Sequence, residues 1–142
     1  MILNTRPSKD TDAGPHRQPL RVLIVDDSRD AVLALTMLVR TEGHDTRACY
    51  NGGDVLRCIG EYDPDVVLLD IGLPDETGWD VARKIRAEIR GPQPLLIGIT
   101  GEYTKGADRV LAELSGFDYY LIKPPDPKVL TTLLEDARRP EA

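Results

Sequence analysis

Cysteine, histidine and long apolar runs are scarce in this 142-residue sequence, and each shortage excludes a class of protein. Cys49 and Cys58 are too few and wrongly spaced for a zinc site, and are typical of a reduced, cytoplasmic protein. Neither His16 nor His44 has neighbours that suggest a metal site or a catalytic triad. No apolar run approaches the roughly 18 residues of a membrane span, and the N-terminus resembles no secretory signal. We therefore expect a cytoplasmic protein with no membrane partner.

Excess positive charge is also lacking. The formal net charge of −6 has the wrong sign for a protein whose main task is to bind nucleic-acid phosphates. An apolar fraction of 41% over this length suffices for one domain with a single hydrophobic core. Residues 1–19 combine proline, glycine and scattered charge without periodicity, so we expect a flexible tail there. The domain is predicted over residues 20–138, with a short C-terminal tail at 139–142.

Short apolar runs alternate with helix-period stripes from Leu20 onward. Four runs resemble buried strands and a fifth, more polar run suits a sheet edge: Val22–Val25, Val66–Leu69, Leu95–Ile99, Tyr119–Ile122 and, at the edge, Thr46–Cys49. Five amphipathic stripes predict helices around residues 31–39, 55–59, 81–89, 107–114 and 129–137. Ser28 is the expected N-cap of the first helix. This alternation predicts an α/β fold, a parallel sheet covered on both faces.

Side chains that can bind a metal or take part in a reaction follow the predicted strands directly. Asp26 and Asp27 follow the first strand, Asp70 the third, Thr100 the fourth and Lys123 the fifth. Ligands of open parallel sheets bind beyond the carboxyl ends of the strands, so these residues are expected to form one site.

The chemistry of these groups indicates phosphoryl transfer. Carboxylate oxygens suit Mg²⁺, which would offset the repulsion between the paired acids Asp26 and Asp27. Phosphoryl transfer needs that cation, a further positive charge, a donor to the phosphoryl oxygens and a nucleophile in line. A carboxylate can be the nucleophile, and Asp70 stands alone after its strand. The pattern therefore predicts an aspartyl phosphate formed at Asp70.

The motifs resemble those of the receiver (response-regulator) domains of two-component signalling, over Leu20 to about Arg138. The matching segments, in order, are VLIVDDS, VVLLDIGLPDETGWDVARKIR, LLIGITG and GFDYYLIKP. The resemblance implies a flavodoxin-like doubly wound fold of five parallel strands in the order 2-1-3-4-5, with five helices. It also implies a phosphoacceptor that promotes its own phosphorylation and dephosphorylation, not an enzyme with a separate substrate. The expected phosphoryl donor is a histidine kinase or a histidine phosphotransfer protein.

The resemblance also implies individual residue roles. Asp27, Asp70 and the backbone carbonyl of Gly72 would bind Mg²⁺ directly, and Asp26 would act through water. Thr100 and Lys123 would each contact a phosphoryl oxygen of phosphorylated Asp70. Tyr120 matches the aromatic residue that swings inward when the threonine moves, and the peptide bond after the lysine would be cis. Pro125 departs from the usual phenylalanine, which argues against copying a partner surface from other members of the family.

Two other readings compete with a phosphorylated receiver. A haloacid-dehalogenase-type phosphatase also forms an aspartyl phosphate, but it needs a second acid two residues after the nucleophile, where Gly72 stands. A receiver-like interaction module that is never phosphorylated usually lacks one of the acids, the hydroxyl or the lysine, and this chain retains all of them.

The output is expected to be protein contact. Only residues 139–142 follow the predicted domain, and the 19 residues before it are too few for a folded effector. We therefore expect a single-domain receiver that works in a phosphorelay or docks on a protein target. A homodimer through the last strand and helix is the remaining option. DNA binding is not expected, because the chain is acidic and no basic stripe lies along a predicted helix.

Overall fold

The computed structural model describes residues 18–101 and 116–138 of the chain. The regular elements in chain order, with the short 3-10 helix left unnumbered, are β1 (Arg21–Val25), α1 (Arg29–Thr41), β2 (Asp45–Cys49), the 3-10 helix (Gly52–Asp54), α2 (Val55–Tyr62), β3 (Val66–Asp70), α3 (Gly78–Glu88), β4 (Leu95–Thr100), β5 (Tyr119–Ile122) and α4 (Pro127–Arg138). The helix predicted around residues 107–114 and most of both predicted tails lie outside the described residues. The other predicted strands and helices are confirmed.

All five strands are parallel, and their order in the sheet is β2-β1-β3-β4-β5. The predicted flavodoxin-like order is therefore confirmed. Parallel neighbours need a crossover connection, and the helices that supply these connections cover the sheet on both sides. Every residue of β3, at the centre, is buried, which explains the continuous apolar run Val66–Leu69 that precedes Asp70.

The core is split by the sheet into two clusters. One cluster, here the α2/α3 core, packs Val55, Ile59 and Ile85 against the side chains that one face of β1, β3 and β4 presents. The other, the α1/α4 core, packs Val39 and Leu134 against the opposite face. Because successive strand residues point to opposite faces, each apolar run of these strands supplies both clusters.

The two edge strands differ from the prediction in one respect. β2 was expected at an edge, and its alternation of exposed and half-buried residues confirms this. The apolar run of β5 predicted a buried strand, whereas the predicted strand order placed it at an edge; the edge position is observed, and Tyr119 and Ile122 are 41% and 46% exposed. An apolar run shows that a strand is favoured, whereas its place in the sheet depends on pairing with residues far along the chain.

Local sequence signals account for the helix ends. Ser28 caps α1 as predicted, since its side-chain oxygen accepts a hydrogen bond from the amide of Ala31 at 3.2 Å. Thr77 caps α3 in the same way through the amide of Asp80. Both caps follow a strand-end loop, so they fix where each helix starts relative to the carboxyl edge of the sheet.

Three residues given no chemical role are structural. Cys49 and Cys58 are buried free thiols, and burial raises the pKa of Cys49 to about 12. His44 is buried, and its Nδ1 accepts a hydrogen bond from the amide of Leu20 at 3.0 Å. Burial, reinforced by the positive charge of Arg138, lowers the pKa of His44 below its usual value.

None of the described helices is both long and apolar enough to cross a bilayer.

Candidate functional site

The predicted site residues meet at the carboxyl edge of the sheet. Asp26 comes directly after β1, Asp70 and Thr100 are the last residues of β3 and β4, and Lys123 comes directly after β5. The amide of Lys123 donates to the carbonyl of Thr100 at 2.6 Å, which extends the β4–β5 pairing to the lysine. The Lys123–Pro124 peptide bond is cis. The parallel register therefore places groups from four strands side by side.

Three carboxylates form a compact acidic cluster at this edge. One oxygen from each of Asp26, Asp27 and Asp70 lies within 4.8 Å of the other two. Asp26 and Asp70 are only 2% and 6% exposed, whereas Asp27 is open to solvent. Hard oxygen ligands with one exposed side suit Mg²⁺, which binds a few carboxylates and keeps several waters. The residues present therefore fit a divalent cation, and the adjacent acids Asp26 and Asp27 both belong to this cluster.

Lys123 supplies a positive charge within the cluster. Its Nζ lies 2.6 Å from Asp26 Oδ2 and 3.4 Å from Asp70 Oδ1. Burial acts to lower the pKa of Lys123, but the hydrogen bond to Asp26 and the charge of Asp70 outweigh burial, and the pKa is raised. The lysine is therefore a cation at neutral pH, and it bridges the two buried acids.

The carboxyl group of Asp70 is buried at the end of β3. Burial raises the pKa of its carboxyl group, and the negative charge of Asp26 adds to that effect. The amide of Gly72, which donates to Asp70 Oδ1 at 3.1 Å, and the charge of Lys123 act in the opposite direction. Gly72 thus contacts Asp70 through its N–H group, while its predicted role as a carbonyl ligand of the metal stays a prediction.

Thr100 and Tyr120 are the predicted switch residues. Thr100 is 8% exposed and is the last residue of β4. Tyr120 of β5 pairs in register with Gly98, which lies two residues before Thr100 in β4. Because the strand repeat is two, Thr100 and Gly98 point to the same face, and Tyr120 shares that face as the direct neighbour of Gly98.

Several residues that support the site were not predicted. The amide of Ser28 donates to Asp26 Oδ1 at 2.9 Å and orients that carboxylate. Gly78 packs so closely on the backbone of Asp70 that a β-carbon would lie 2.7 Å from the carbonyl oxygen of Asp70. Trp79 stacks on Tyr120. Two glycines were the sequence signals of a close backbone approach: Gly78 at the start of a helix, and Gly98 inside a strand.

The parallel sheet of order β2-β1-β3-β4-β5 carries an acidic cluster and a bridging lysine at its carboxyl edge, as the motifs of receiver domains led us to expect. A family model described as response regulator receiver domain matches residues 22–135. The chain therefore belongs to the receiver domains of two-component response regulators, as the sequence motifs predicted.

Relatives of known name support the same assignment. The DNA-binding response regulators MtrA of Mycobacterium tuberculosis and Mycobacterium leprae are each 40% identical over 110 residues, which is 78% of this chain. The chain spans about half the length of these curated relatives, 46% and 47% respectively.

Solved structures share the fold over most of the chain. A CheY-like receiver domain protein from Methanospirillum hungatei superposes with a TM-score of 0.73 at 27% identity, covering 84% of this chain and 97% of the other. A response regulator signal receiver domain from Bermanella marisrubri gives 0.75 at 26% identity, covering 86% and 100%.

These relatives overturn one expectation about partners. DNA was excluded because this chain is acidic, yet the curated relatives that share its receiver sequence are DNA-binding response regulators. The exclusion is therefore wrong. Its physical basis was net charge, which describes the receiver surface of this chain alone. A receiver influences its output through a conformational change, so its own charge does not determine what its effector binds.

Proposed function

We propose that this receiver takes a phosphoryl group from a phosphohistidine of a histidine kinase or phosphotransfer protein onto Asp70. A carboxylate oxygen of Asp70 forms the new bond to phosphorus while the bond from phosphorus to the histidine nitrogen breaks. The leaving imidazole keeps the electron pair of the broken bond. The observation that carries this proposal is the convergence of Lys123 and two further acids on the buried Asp70 carboxylate.

The surrounding groups have separable tasks in this reaction. Mg²⁺ held by Asp26, Asp27 and Asp70 would neutralise charge on the transferring phosphoryl group. Lys123, 3.4 Å from Asp70 Oδ1, is placed to pair with a phosphoryl oxygen once Asp70 is modified. In that state its 2.6 Å contact with Asp26 must lengthen or be shared, because one ammonium would then serve two anionic partners.

The conformational response is assigned to Thr100 and Tyr120. The Thr100 hydroxyl is the donor for a second phosphoryl oxygen, and its movement toward Asp70 changes the space available to the Tyr120 ring on the same face of the sheet. Such a pair acts by population shift, since the phosphoryl group favours one of two arrangements that the protein already samples.

Intact-mass spectrometry after incubation with a small acyl phosphodonor and Mg²⁺ tests the phosphoacceptor. Wild type should gain one phosphoryl group, and Asp70→Asn should gain none. Asp75→Asn is the matched control, because Asp75 is an exposed carboxylate in the loop that follows Asp70, and the single amide oxygen of asparagine can still accept from one of the two N–H groups, of Gly52 and Gly53, that the two carboxylate oxygens accept from. Uptake by Asp70→Asn would contradict the assignment of Asp70 as the acceptor. No uptake by wild type with Mg²⁺ would contradict the proposal as a whole and leave the unphosphorylated interaction module.

For the output, we infer that phosphorylation of this receiver regulates a DNA-binding effector. The support is the 40% identity to regulators whose names state DNA binding. The immobilised chain, treated with beryllofluoride and Mg²⁺, should recover from the native cell extract a complex that binds a specific DNA fragment in competition with random DNA. Asp70→Asn bait should recover none. Equal recovery by both baits, or a complex without specific DNA binding, would contradict this output.

A further inference from the structure

Three aromatic rings from α3 and the β5 region form a cluster beside the phosphoacceptor site. Trp79, in the first turn of α3, stacks on Tyr120 with ring centroids 5.5 Å apart and an angle of 22° between the planes. Phe117 meets the Trp79 ring edge-on at 5.9 Å and lies 6.4 Å from Tyr120. Tyr120 therefore has a parallel ring on one side and a tilted ring beside it.

Gly98 provides the space that the cluster occupies. A β-carbon at Gly98 would lie 3.0 Å from Cε1 of Phe117 and 3.1 Å from Cδ1 of Tyr120. Most strand positions carry a side chain that packs on its cross-strand neighbour, so a glycine in the interior of β4 marks a close approach. Here the approaching groups are the two rings, and they lie on the face of β4 that also presents Thr100.

From this arrangement we propose that Trp79 and Gly98 are positioning residues for Tyr120, and that they set its response to phosphorylation. The indole of Trp79 stacks against the phenol ring of Tyr120. Because Gly98 has no side chain, the Tyr120 ring can occupy the space beside β4, on the face that presents Thr100. Any rearrangement of Tyr120 must break or rebuild the Trp79 stack. The energy of that stack is therefore part of the difference between the two arrangements of the switch.

This inference rests on the proposed function, because it assumes that Tyr120 responds to a phosphoryl group on Asp70. Aromatic pairs with stacked geometry change an equilibrium by about 2- to 12-fold beyond the effect of area burial. A contribution of that size is enough to alter the apparent affinity for an activating ligand, since affinity depends on the population of the binding-competent arrangement.

A double-mutant cycle tests the coupling. The apparent dissociation constant for beryllofluoride at saturating Mg²⁺ is measured from the backbone amide shift of Thr100, in Trp79→Leu, Tyr120→Leu and the double variant. Each single variant should change the constant by about 2- to 12-fold, and the double variant should differ from the product of the two changes. Tyr119→Leu is the matched control, since Tyr119 lies on the opposite face of β5 and should combine multiplicatively with Trp79→Leu.

A second readout separates positioning from general structural support. Trp79 is the single tryptophan, so its emission reports the stack directly. Beryllofluoride should change that emission in wild type and in Tyr120→Phe, which keeps a ring. The change should be lost in Tyr120→Leu, and Gly98→Ala, which displaces the ring, should diminish it. An undiminished emission change in Tyr120→Leu would contradict the inference.

The positioning role of Trp79 and the proposed phosphorylation of Asp70 have different consequences in these experiments. If every variant takes up a phosphoryl group by intact mass and the Trp79/Tyr120 effects simply multiply, the positioning role is wrong and the phosphoacceptor stands. If wild type neither takes up a phosphoryl group nor binds beryllofluoride, the proposed function is wrong, and the positioning role fails with it.

Discussion

Replacing Gly78 with alanine would add one methyl group at the point where α3 begins, against the backbone of Asp70. The new β-carbon would lie 2.7 Å from the carbonyl oxygen of Asp70 and 2.7 Å from Cα of Ile71. Both are backbone atoms, so neither can move aside by a change of rotamer. The amide of Gly78 also donates to the carbonyl of Ile71 at 2.8 Å, which ties the helix start to the end of β3.

The expected change in stability has a sign that helix propensity alone would not predict. In an ordinary helix position alanine is more stable than glycine by about 1 kcal/mol. Insertion of a methyl group into a packed contact costs about 1–3 kcal/mol, and at 2.7 Å from two backbone atoms the upper end applies. We therefore expect Gly78→Ala to lower the free energy of unfolding by about 1–2 kcal/mol net, the difference of the two effects.

The chain offers a matched control in Gly60. It is exposed, lies within α2, and a β-carbon there would meet nothing within 4 Å. Gly60→Ala should raise the free energy of unfolding by about 0.5–1 kcal/mol through helix propensity. Urea denaturation with the m-value held common compares the two variants with wild type.

The same substitution should reach the chemistry. Relief of the contact moves the end of β3 away from α3 and shifts the Asp70 carboxylate relative to Lys123. A displacement of about 1 Å can cost about 100-fold in rate, so a shift of a few tenths of an ångström should slow phosphorylation several-fold. Gly60→Ala should be phosphorylated at the wild-type rate. Wild-type stability and phosphorylation rate in Gly78→Ala would refute the close-approach argument.

Three further predictions concern charge and proton binding. Without divalent cations, Lys123→Met should lower the free energy of unfolding by about 1–3 kcal/mol, because Asp26 and Asp70 lose their buried counter-charge. Mg²⁺ should restore most of the lost stability. A urea midpoint of the variant that does not respond to Mg²⁺ would contradict this prediction. Asp27→Asn should weaken Mg²⁺ binding, measured by calorimetry, by at least the roughly 10- to 100-fold that the loss of an outer-shell partner costs a metal site. The loss of affinity should exceed that of Lys123→Met, and equal losses in the two variants would argue against a ligand role for Asp27. Folding lowers the pKa of His44 below 6.5, so the unfolded chain binds that proton first, and stability should fall as the pH decreases from 7 through 6.5; the fall should be shallower in His44→Asn, and parallel curves would refute the assignment.

Much of the fold was predictable because its signals are local. The apolar runs of β1, β3 and β4 and the cap at Ser28 depend on residues that are neighbours in sequence. β5 shows the limit of such signals. Its apolar run predicted a strand correctly, but its exposure depends on lying at the edge of the sheet, a matter of pairing with residues about 20 positions away.

The partner prediction failed for a related reason. Net charge is a property of the composition of this chain, and it describes the long-range field of the receiver. The curated relatives that are named DNA-binding regulators are about twice as long as the segment that matches this chain. The composition of a receiver therefore does not predict the DNA binding that their names state.

The sequence by itself determined which residues could do chemistry, because a carboxylate, hydroxyl or lysine directly after a buried parallel strand must lie at the ligand-binding edge of the sheet. Only the tertiary structure decided how these groups meet. Lys123 and Asp26 are 97 positions apart, and their 2.6 Å contact exists because four strands share one register. The stack of Trp79 on Tyr120 arises from the packing of α3 against the sheet edge beside Gly98. Such contacts form between side chains brought together by long-range packing, and no periodicity of neighbouring residues encodes their distances.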